Sequence, residues 1–175
     1  MCATKEKMSQ YIELHNFIKA HACVDWLTPS QQQALDAIQN ALRSHHTINL
    51  YGERGCGKTF LGWICHRESI GAYLPHPRFL QGGVSSPSPS CLIIDNVHTN
   101  RAEFRHILKE IQLYSVPNLI AIPREPSKEE MVAIELPCTK HDCEKMRHNL
   151  SLDEPLSSDD EMNLWQIFFE RLFCQ

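Results

Sequence analysis

One glycine-rich segment has the residue types and the spacing that bind phosphate. The segment from Gly52 to Thr59 matches the pattern G-x-x-x-x-G-K-[ST] in full. In such a loop, glycines let successive backbone N–H groups turn inward around a phosphate, and the lysine, here Lys58, brings a positive charge to the β- and γ-phosphates. The hydroxyl of Thr59 is suited to a Mg²⁺ ion. The predicted nucleotide-binding residues are Gly52, Glu53, Arg54, Gly55, Cys56, Gly57, Lys58 and Thr59.

A second motif follows further along the chain, where the apolar residues 92–94 precede Asp95. An acidic residue at the tip of a buried strand can hold a Mg²⁺-bound water beside a phosphate loop. Thr59 and Asp95 are therefore the predicted Mg²⁺ site, and Lys58 and Asp95 are predicted to act in catalysis. Asn96 occupies the next position. Because an amide cannot act as a general base, we expect any hydrolysis to be slow.

The elements around these motifs predict an α/β fold. Residues 47–51 form a short β-prone run directly before the loop, and residues 58–69 have the pattern of a helix directly after it. Other strands are predicted at 92–94, 119–122 and 131–136, and other helices at 5–22, 29–43, 100–113 and 140–150. A poor strand is predicted near residues 78–80, within a proline-rich loop. Strands alternating with helices predict a P-loop NTPase with a mostly parallel sheet flanked by helices.

The chain divides into three predicted parts. Residues 1–27 form an N-terminal helical extension, residues 28–150 form the nucleotide-binding core, and residues 151–175 form a linker and a C-terminal helix that starts at Asp159. That helix is crowded with large apolar side chains, so it either docks on its own core or joins another subunit. The side chains concerned are Trp165, Ile167, Phe168, Phe169, Leu172 and Phe173.

Composition favours a reducing compartment and does not favour nucleic acid as the main partner. The 175 residues include 17 basic and 21 acidic side chains, which gives a net charge of -4. The eight cysteines are irregularly spaced, and Cys56 and Cys91 occupy positions unsuited to a disulfide framework. No apolar run reaches the ~18 residues that span a bilayer. We therefore expect a cytoplasmic protein, or a nuclear one in a eukaryote, without a membrane partner.

These motifs resemble those of the AAA+ and STAND classes of P-loop ATPases. The resemblance extends from Thr28 to Leu150 and is carried by INLY with GERGCGKT, by LIIDNVH, by NLIAIPREP and by IELPCTKHDCEKMRHNL. The third segment resembles the STAND strand that ends in a phosphate-sensing arginine, which would assign a catalytic role to Arg124. The fourth resembles the passage from the core into the helical lid. The resemblance implies ATP and Mg²⁺ as cofactors.

The chain also departs from this family pattern. Asn96 stands where many relatives have a second acid, and it is included among the predicted catalytic residues for that reason. The interval between Lys58 and Asp95 is short, so one strand–helix unit is expected to be shortened or missing. Little of a lid follows Leu150. The resemblance thus implies a minimal ATPase core whose nucleotide is covered by another copy or a protein partner, with the C-terminal helix as the expected contact.

Other residues have two interpretations that the sequence leaves open. Arg101 and Arg105 follow Asp95 on a helix, where one could reach a neighbouring γ-phosphate or both could face solvent. Trp26 could lie near a base or pack in the core. A loose zinc-like spacing is also present, although a helix over residues 140–150 would scatter its members. Those members are Cys138, His141, Cys143 and His148.

Three functions remain open from the sequence. The first is a weak ATPase that acts as a nucleotide-dependent switch or assembly factor in a larger complex, DNA-related or otherwise. The second is a non-catalytic module that binds nucleotide for structure, which Asn96 favours. The third is a small P-loop kinase, which the few arginines between Asp95 and Leu150 disfavour. The residues do not choose between ATP and GTP or among oligomeric states.

Overall fold

Strands and helices alternate along most of the chain. The computed structural model describes residues 2–44, 47–82, 88–98, 101–123, 131–152 and 163–173. The strands are β1 (Thr47–Tyr51), β2 (Ala72–Leu74), β3 (Cys91–Val97), β4 (Asn118–Pro123) and β5 (Val132–Glu135). The α-helices are α1 (Cys2–Ala20), α2 (Pro29–Ala41), α3 (Lys58–Arg67), α4 (Arg101–Leu113), α5 (Lys140–Asn149) and α6 (Leu164–Phe173). Short 3₁₀-helices cover Val24–Trp26 and Pro77–Gly82.

The strands form one five-stranded sheet in the order β2-β3-β4-β1-β5, and all described pairs are parallel. This confirms the predicted α/β class. In the register, Ile120 of β4 lies between Ile48 of β1 and Ile93 of β3. Because all strands run in the same direction, the carboxyl ends of β1 and β3 meet at the same edge of the sheet, where ligands bind in open α/β folds.

Buried side chains cover both faces of the sheet. On one face, Leu92 and Ile94 of β3 belong to an apolar cluster that includes Phe104 and Ile107 of α4. On the other face, Ile93 belongs to a larger cluster with residues of β1, α1, α2, α3, α5 and α6. The alternation along β3 follows from the two-residue repeat of a strand. Helices on both faces explain why residues 91–94 of this strand are apolar without interruption.

The prediction of a strand near residues 78–80 was wrong. The strand, β2, lies earlier at Ala72–Leu74, and a 3₁₀-helix covers Pro77–Gly82. Proline has no backbone N–H to donate to a sheet ladder, and Pro75 and Pro77 follow β2 at once. Strand β2 has only three residues, and the expected shortening of one strand–helix unit relative to the family stays a prediction.

The last helix begins later than predicted. Helix α6 starts at Leu164, and its first turn is fixed by a reciprocal pair of hydrogen bonds between Asn163 and Gln166. In this pair, the side-chain oxygen of each residue accepts from the backbone N–H of the other, as in a capping box. The predicted start at Asp159 lies outside the described residues. Within those residues, no helix combines the length and the apolar character needed to cross a bilayer.

One buried carboxylate joins the starts of α2 and α5. Asp142 accepts hydrogen bonds from the N–H and Oγ of Ser30 at 2.8 and 2.7 Å, and from the N–H and Oγ1 of Thr139 at 2.7 and 2.6 Å. Thr28 and Thr139 are the N-caps of the two helices, each in a capping box. Burial raises the pKa of Asp142, but the hydrogen bonds from Thr139 and Ser30 outweigh burial, so its pKa lies below the ordinary 3.8.

Replacing Asp142 with alanine should lower the free energy of unfolding by about 3 kcal/mol, because the buried donors of Ser30 and Thr139 would lose a charged acceptor. Denaturant unfolding at pH 7 measures the change. Asp36→Ala, on the exposed face of α2, is the matched control and should change stability by no more than about 0.5 kcal/mol.

The same carboxylate has a pH signature. Its pKa is depressed in the folded state, so its stabilisation is present above the ordinary pKa and is lost as the pH falls through the folded value. The stability difference between the wild type and Asp142→Asn should therefore shrink in acid. A difference that is absent at pH 7, or that grows in acid, would contradict this role.

Candidate functional site

The phosphate-loop segment connects the end of β1 to the start of α3. Gly55 and Gly57 have φ angles of 87° and 94°, a left-handed conformation that glycine adopts without strain. Helix α3 begins at Lys58, so the positive end of its dipole faces the loop. The ammonium of Lys58 donates to the carbonyls of Gly52 and Glu53, both at 2.6 Å. A charged group and a helix N-terminus thus converge on one loop.

The glycines are packed where no side chain would fit. A Cβ on Gly52 would lie 2.3 Å from the carbonyl oxygen of Leu136, and a Cβ on Gly57 would lie 2.1 Å from Nε2 of Gln31. The same Nε2 donates to the carbonyl of Cys56 at 3.3 Å. The loop is therefore held from outside by α2 and by the segment after β5.

The remaining loop residues differ in exposure. Glu53 and Arg54 are exposed, and Arg54 lines the cleft above the loop. Cys56 is buried, and burial raises the pKa of its thiol, so the thiol stays protonated and packs as a small apolar group. All six cysteines whose side chains the structure describes are free thiols.

Thr59 and Asp95, the two predicted Mg²⁺ residues, are brought together. Thr59 Oγ1 donates a hydrogen bond to Asp95 Oδ2 at 2.6 Å, although the two residues lie on α3 and β3. Their oxygens are the hard donors that Mg²⁺ prefers. No cluster of three or more His, Cys, Asp or Glu side chains suited to a metal occurs among the described residues. A Mg²⁺ ion here would take its other ligands from water and phosphate, as is usual for this ion.

Tyr73 is part of the same group, and the sequence reasoning missed it. Its hydroxyl donates to Asp95 Oδ2 at 2.8 Å from the neighbouring strand β2. Burial raises the pKa of the Tyr73 phenol, and the carboxylate of Asp95 raises that pKa further. The hydroxyl therefore keeps its proton and remains a donor. A tyrosine on a three-residue strand carries no motif, so only the order of the strands places it here.

Asn96 lines the cleft, and its side chain is hydrogen-bonded to the segment after β2. Its φ of 55° lies in the left-handed region, and its Nδ2 donates to the carbonyl of Pro75 at 3.1 Å. Its backbone N–H donates to Asp95 Oδ1 at 2.7 Å. Asn96 thus orients Asp95 through its backbone, while its side chain is tied to the segment after β2.

Two of the predicted arginine positions are not placed by the structure. Arg124 lies outside the described residues, and so does the side chain of Arg101. Arg105 is exposed on α4, which agrees with a solvated helix face. Trp26 packs with its ring 6.3 Å from that of Phe168, stacked at 14°, so its contact is with the apolar core.

The loose zinc-like spacing does not form a site. Cys138 Sγ and Cys143 Sγ lie 3.8 Å apart, but His141 pairs with Glu144 at 3.1 Å on the exposed side of α5 and His148 is exposed. The hydrogen bond with Cys143 lowers the pKa of Cys138 to about 7. The helix scatters the histidines away from the thiols, as its geometry requires.

A cleft of about 750 Å³ lies above the loop, within the range of pockets that hold small ligands. Tyr11 and His15 of α1 line one wall, and Asn163 and Trp165 at the start of α6 line another. The rings of Tyr11 and Trp165 lie 5.4 Å apart, so the two helices touch across the cleft. Helices of the chain itself thus line the cleft, and the expected further cover by another copy or a protein partner stays a prediction.

Helix α1 is anchored beside the loop by α3. Arg67 of α3 donates to the carbonyls of Lys19, at 2.9 Å, and of Ala22, which provides a cation at the C-terminal end of α1. The ring of His15 meets that of Trp63 edge-on at 4.9 Å. Burial lowers the pKa of His15, and Lys19 lowers it further, so this imidazole is neutral at pH 7.

The described part of α6 docks on the core of its own chain. Leu164, Ile167 and Phe168 are buried at 3 %, 0 % and 3 % exposure. Phe168 also meets Phe17 of α1 edge-on at 6.1 Å. Phe169 alone among the described apolar residues of α6 is exposed, at 39 %. The two alternatives for this helix were docking on its own core and contact with another subunit. Docking on its own core accounts for Leu164, Ile167 and Phe168.

The architecture is similar to that of solved DNA replication proteins. The chain superposes on a DNA replication initiation factor with a TM-score of 0.56 and 16% identity, over 81% of this chain and 59% of that one. It superposes on AMPPCP-bound DnaA from Aquifex aeolicus with a TM-score of 0.50 and 18% identity, over 78% of this chain and 57% of that one. The chain thus spans less than three fifths of either structure. At such identity the similarity shows the α/β P-loop fold in outline, and the fold alone.

No family model matches the chain, and no curated protein matches its sequence. The assignment of the fold therefore depends on the arrangement of the strands and on the geometry at the loop.

Adjacent phenylalanines of α6 separate its two suggested roles. Phe168→Ala should lower the free energy of unfolding by about 3–5 kcal/mol, because Phe168 is fully packed. Phe169→Ala, the matched control, should lower it by less than about 1 kcal/mol, since the side chain is partly exposed. Denaturant unfolding and light scattering on both variants provide the measurements. If Phe169→Ala dissociates an oligomer while Phe168→Ala is as stable as wild type, α6 is an interface helix instead.

Proposed function

We propose that this chain binds ATP with Mg²⁺, hydrolyses it slowly, and acts as a nucleotide-dependent switch or assembly factor in a larger complex. The observation that carries the proposal is the hydrogen bond from Thr59 to Asp95 directly beside the loop closed by Lys58. A phosphate loop and an acid for the metal then occupy one edge of a parallel sheet. This arrangement supports nucleoside triphosphate chemistry more specifically than the fold does.

Each residue of the site has a proposed role. The backbone N–H groups from Gly52 to Gly57 would surround the β-phosphate, and Lys58 would leave its two carbonyl partners to meet the β- and γ-phosphates. Thr59 would bind Mg²⁺ directly, and Asp95 would hold the ion through water. When bound, Mg²⁺ neutralises charge on the phosphates. Arg124 is retained as the proposed phosphate-sensing residue from the family resemblance.

Slow hydrolysis follows from the chemistry at Asn96. An amide does not take a proton from water, and this one already donates to the Pro75 carbonyl. A neutral imidazole at His15 lines the same cleft, where its ring packs edge-on against Trp63. We therefore propose a weak ATPase and not a rapid one.

The proposed switch lies in α1 and α6, two of the helices that line the cleft. Tyr11 of α1 and Trp165 of α6 touch each other above the loop, so a nucleotide that alters one helix contact would alter the other. The proposed parts are the N-terminal extension 1–27, the core 28–150 and the C-terminal segment 151–175. A homo-oligomer or protein partner that binds this surface is part of the proposal, with Phe169, which is exposed among the α6 side chains that the structure describes, as a candidate contact.

The likeness to the two replication structures supports a DNA-related setting for this chain. It does not identify which DNA-related process that would be. One of them is a replication initiation factor, and the other is a DnaA that was solved with AMPPCP, which supports ATP as the proposed nucleotide. The net charge of -4 argues that contact with nucleic acid is not the main role of this chain. A STAND-like mechanism and a cytoplasmic location belong to the same proposal.

The second candidate is a nucleotide-binding module without catalysis. Asn96 favours this second candidate. It occupies the position where many proteins of the AAA+ and STAND classes have a base, but its side chain is a neutral amide that donates a hydrogen bond to the Pro75 carbonyl. Single-turnover hydrolysis on the purified chain separates the two candidates. Conversion of bound ATP to ADP over minutes to hours supports the switch, whereas intact ATP after a day supports the module.

Lys58→Ala should abolish ATP binding or weaken it at least a hundredfold, because the loop would lose the charge that faces the phosphates. Isothermal titration with ATP and Mg²⁺ measures the affinity. Lys109→Ala, on the exposed side of α4, removes the same charge away from the cleft and should bind as the wild type does. Unchanged affinity in Lys58→Ala would refute the proposed site.

Asn96→Asp should raise the turnover of ATP, because a carboxylate can accept a proton from water and cannot donate to the Pro75 carbonyl. A steady-state phosphate-release assay measures the change, with exposed Asn40→Asp on α2 as the control. If the wild type already turns over near the ~10 s⁻¹ typical of enzymes, another residue supplies the base.

A further inference from the structure

The carboxylate of Asp95 is occupied by three donors. Oδ2 accepts from Thr59 Oγ1 at 2.6 Å and from the Tyr73 hydroxyl at 2.8 Å, and Oδ1 accepts from the Asn96 N–H at 2.7 Å. The oxygen that faces Thr59 therefore has both of its lone-pair directions in use. A water on a Mg²⁺ ion at Thr59 that donates to Oδ2, the carboxylate oxygen nearest to Thr59, would need one of those directions.

The three donors do not contribute equally to a metal site. The Thr59 hydroxyl can keep its hydrogen on Asp95 while its oxygen binds a metal, since a hydroxyl has lone pairs to spare. The Asn96 N–H lies on the opposite carboxylate oxygen. The Tyr73 hydroxyl has neither property, because it donates to the shared oxygen from the neighbouring strand.

We propose that Tyr73 is a positioning residue that stands in for a metal-bound water at Asp95 and thereby sets the Mg²⁺ dependence of nucleotide binding. This inference depends on the proposed function and deepens it. When the phenol donates to the carboxylate, it withdraws negative charge from the direction of the ion. Binding of Mg²⁺ with nucleotide must then displace the hydroxyl, which raises the Mg²⁺ concentration that the site requires.

Asp95 would remain oriented without the phenol hydroxyl. Its two carboxylate oxygens would still be fixed by Thr59 and by the Asn96 N–H, one bond to each. The ring of Tyr73 packs against Trp63 at 6.4 Å between centroids and contacts the position of Gly62. A phenylalanine would keep those ring contacts, so Tyr73→Phe removes the competing donor together with the hydrogen bond that the Tyr73 hydroxyl accepts from Trp63.

The test is a Mg²⁺ titration of nucleotide binding. A fluorescent ATP analogue is held at a fixed concentration with the full chain, and anisotropy is followed as MgCl₂ is added. Tyr73→Phe should reach half-maximal binding at a Mg²⁺ concentration about three- to tenfold lower than the wild type, the change that one hydrogen bond of ordinary strength produces. Its affinity for the analogue in EDTA should equal that of the wild type, which a general structural defect would not leave unchanged.

The matched control is Tyr114→Phe. The hydroxyl of Tyr114 donates to the Leu80 carbonyl at 3.1 Å, in the cluster on the other face of the sheet, so its removal should leave the Mg²⁺ titration where the wild type has it. An unchanged or higher Mg²⁺ requirement in Tyr73→Phe overturns the inference, as does a wild type whose binding ignores Mg²⁺. A wild type that binds no nucleotide refutes the proposed function instead, so the two failures are distinct.

Discussion

The parallel alignment of β1 with β3 across β4 is the constraint on which the site depends. Ile120 of β4 is level with Ile48 on one side and with Ile93 on the other. With this register, the loop that leaves β1 and the acid near the end of β3 reach the same edge. Thr59 on α3 and Asp95 then come within 2.6 Å. A shift of two residues in β4 would move these groups apart by about 7 Å, which no side-chain rotation could recover.

Packing from outside holds this edge in shape. Gln31 of α2 donates to the loop, and the carbonyl of Leu136 fills the space where Gly52 lacks a side chain. Asp142 ties α2 to α5, which follows Leu136 closely in the chain. The buried carboxylate is not among the residues that line the cleft, yet it fixes the starts of α2 and α5. Stability of the fold and geometry of the site therefore share the same contacts.

The features that could be predicted from the sequence are those that depend on local residue patterns. The eight-residue loop, Asp95, the Thr28 cap and the class of the sheet follow from spacing and periodicity. Tyr73 was missed because its position beside Asp95 depends on which strands are neighbours. The sequence could not decide whether α6 docks on its own core, because Phe168 and Phe169 are the same residue type and differ only in burial. Asp142 and Ser30 are distant in sequence, and no pattern joins them.

The contact between α1 and α6 has a consequence for how the molecule is made. Tyr11 and Phe17 are synthesised well before Trp165 and Phe168, whose rings they contact in the folded chain. Until then, Leu14 and Ile18 have only part of the core that buries them in the finished fold. The phosphate loop and its acid can assemble earlier, because α3 and β3 precede α6. A nascent chain would thus pass through a stage in which the loop and Asp95 are already synthesised while Tyr11 and Phe17 still lack their contacts on α6.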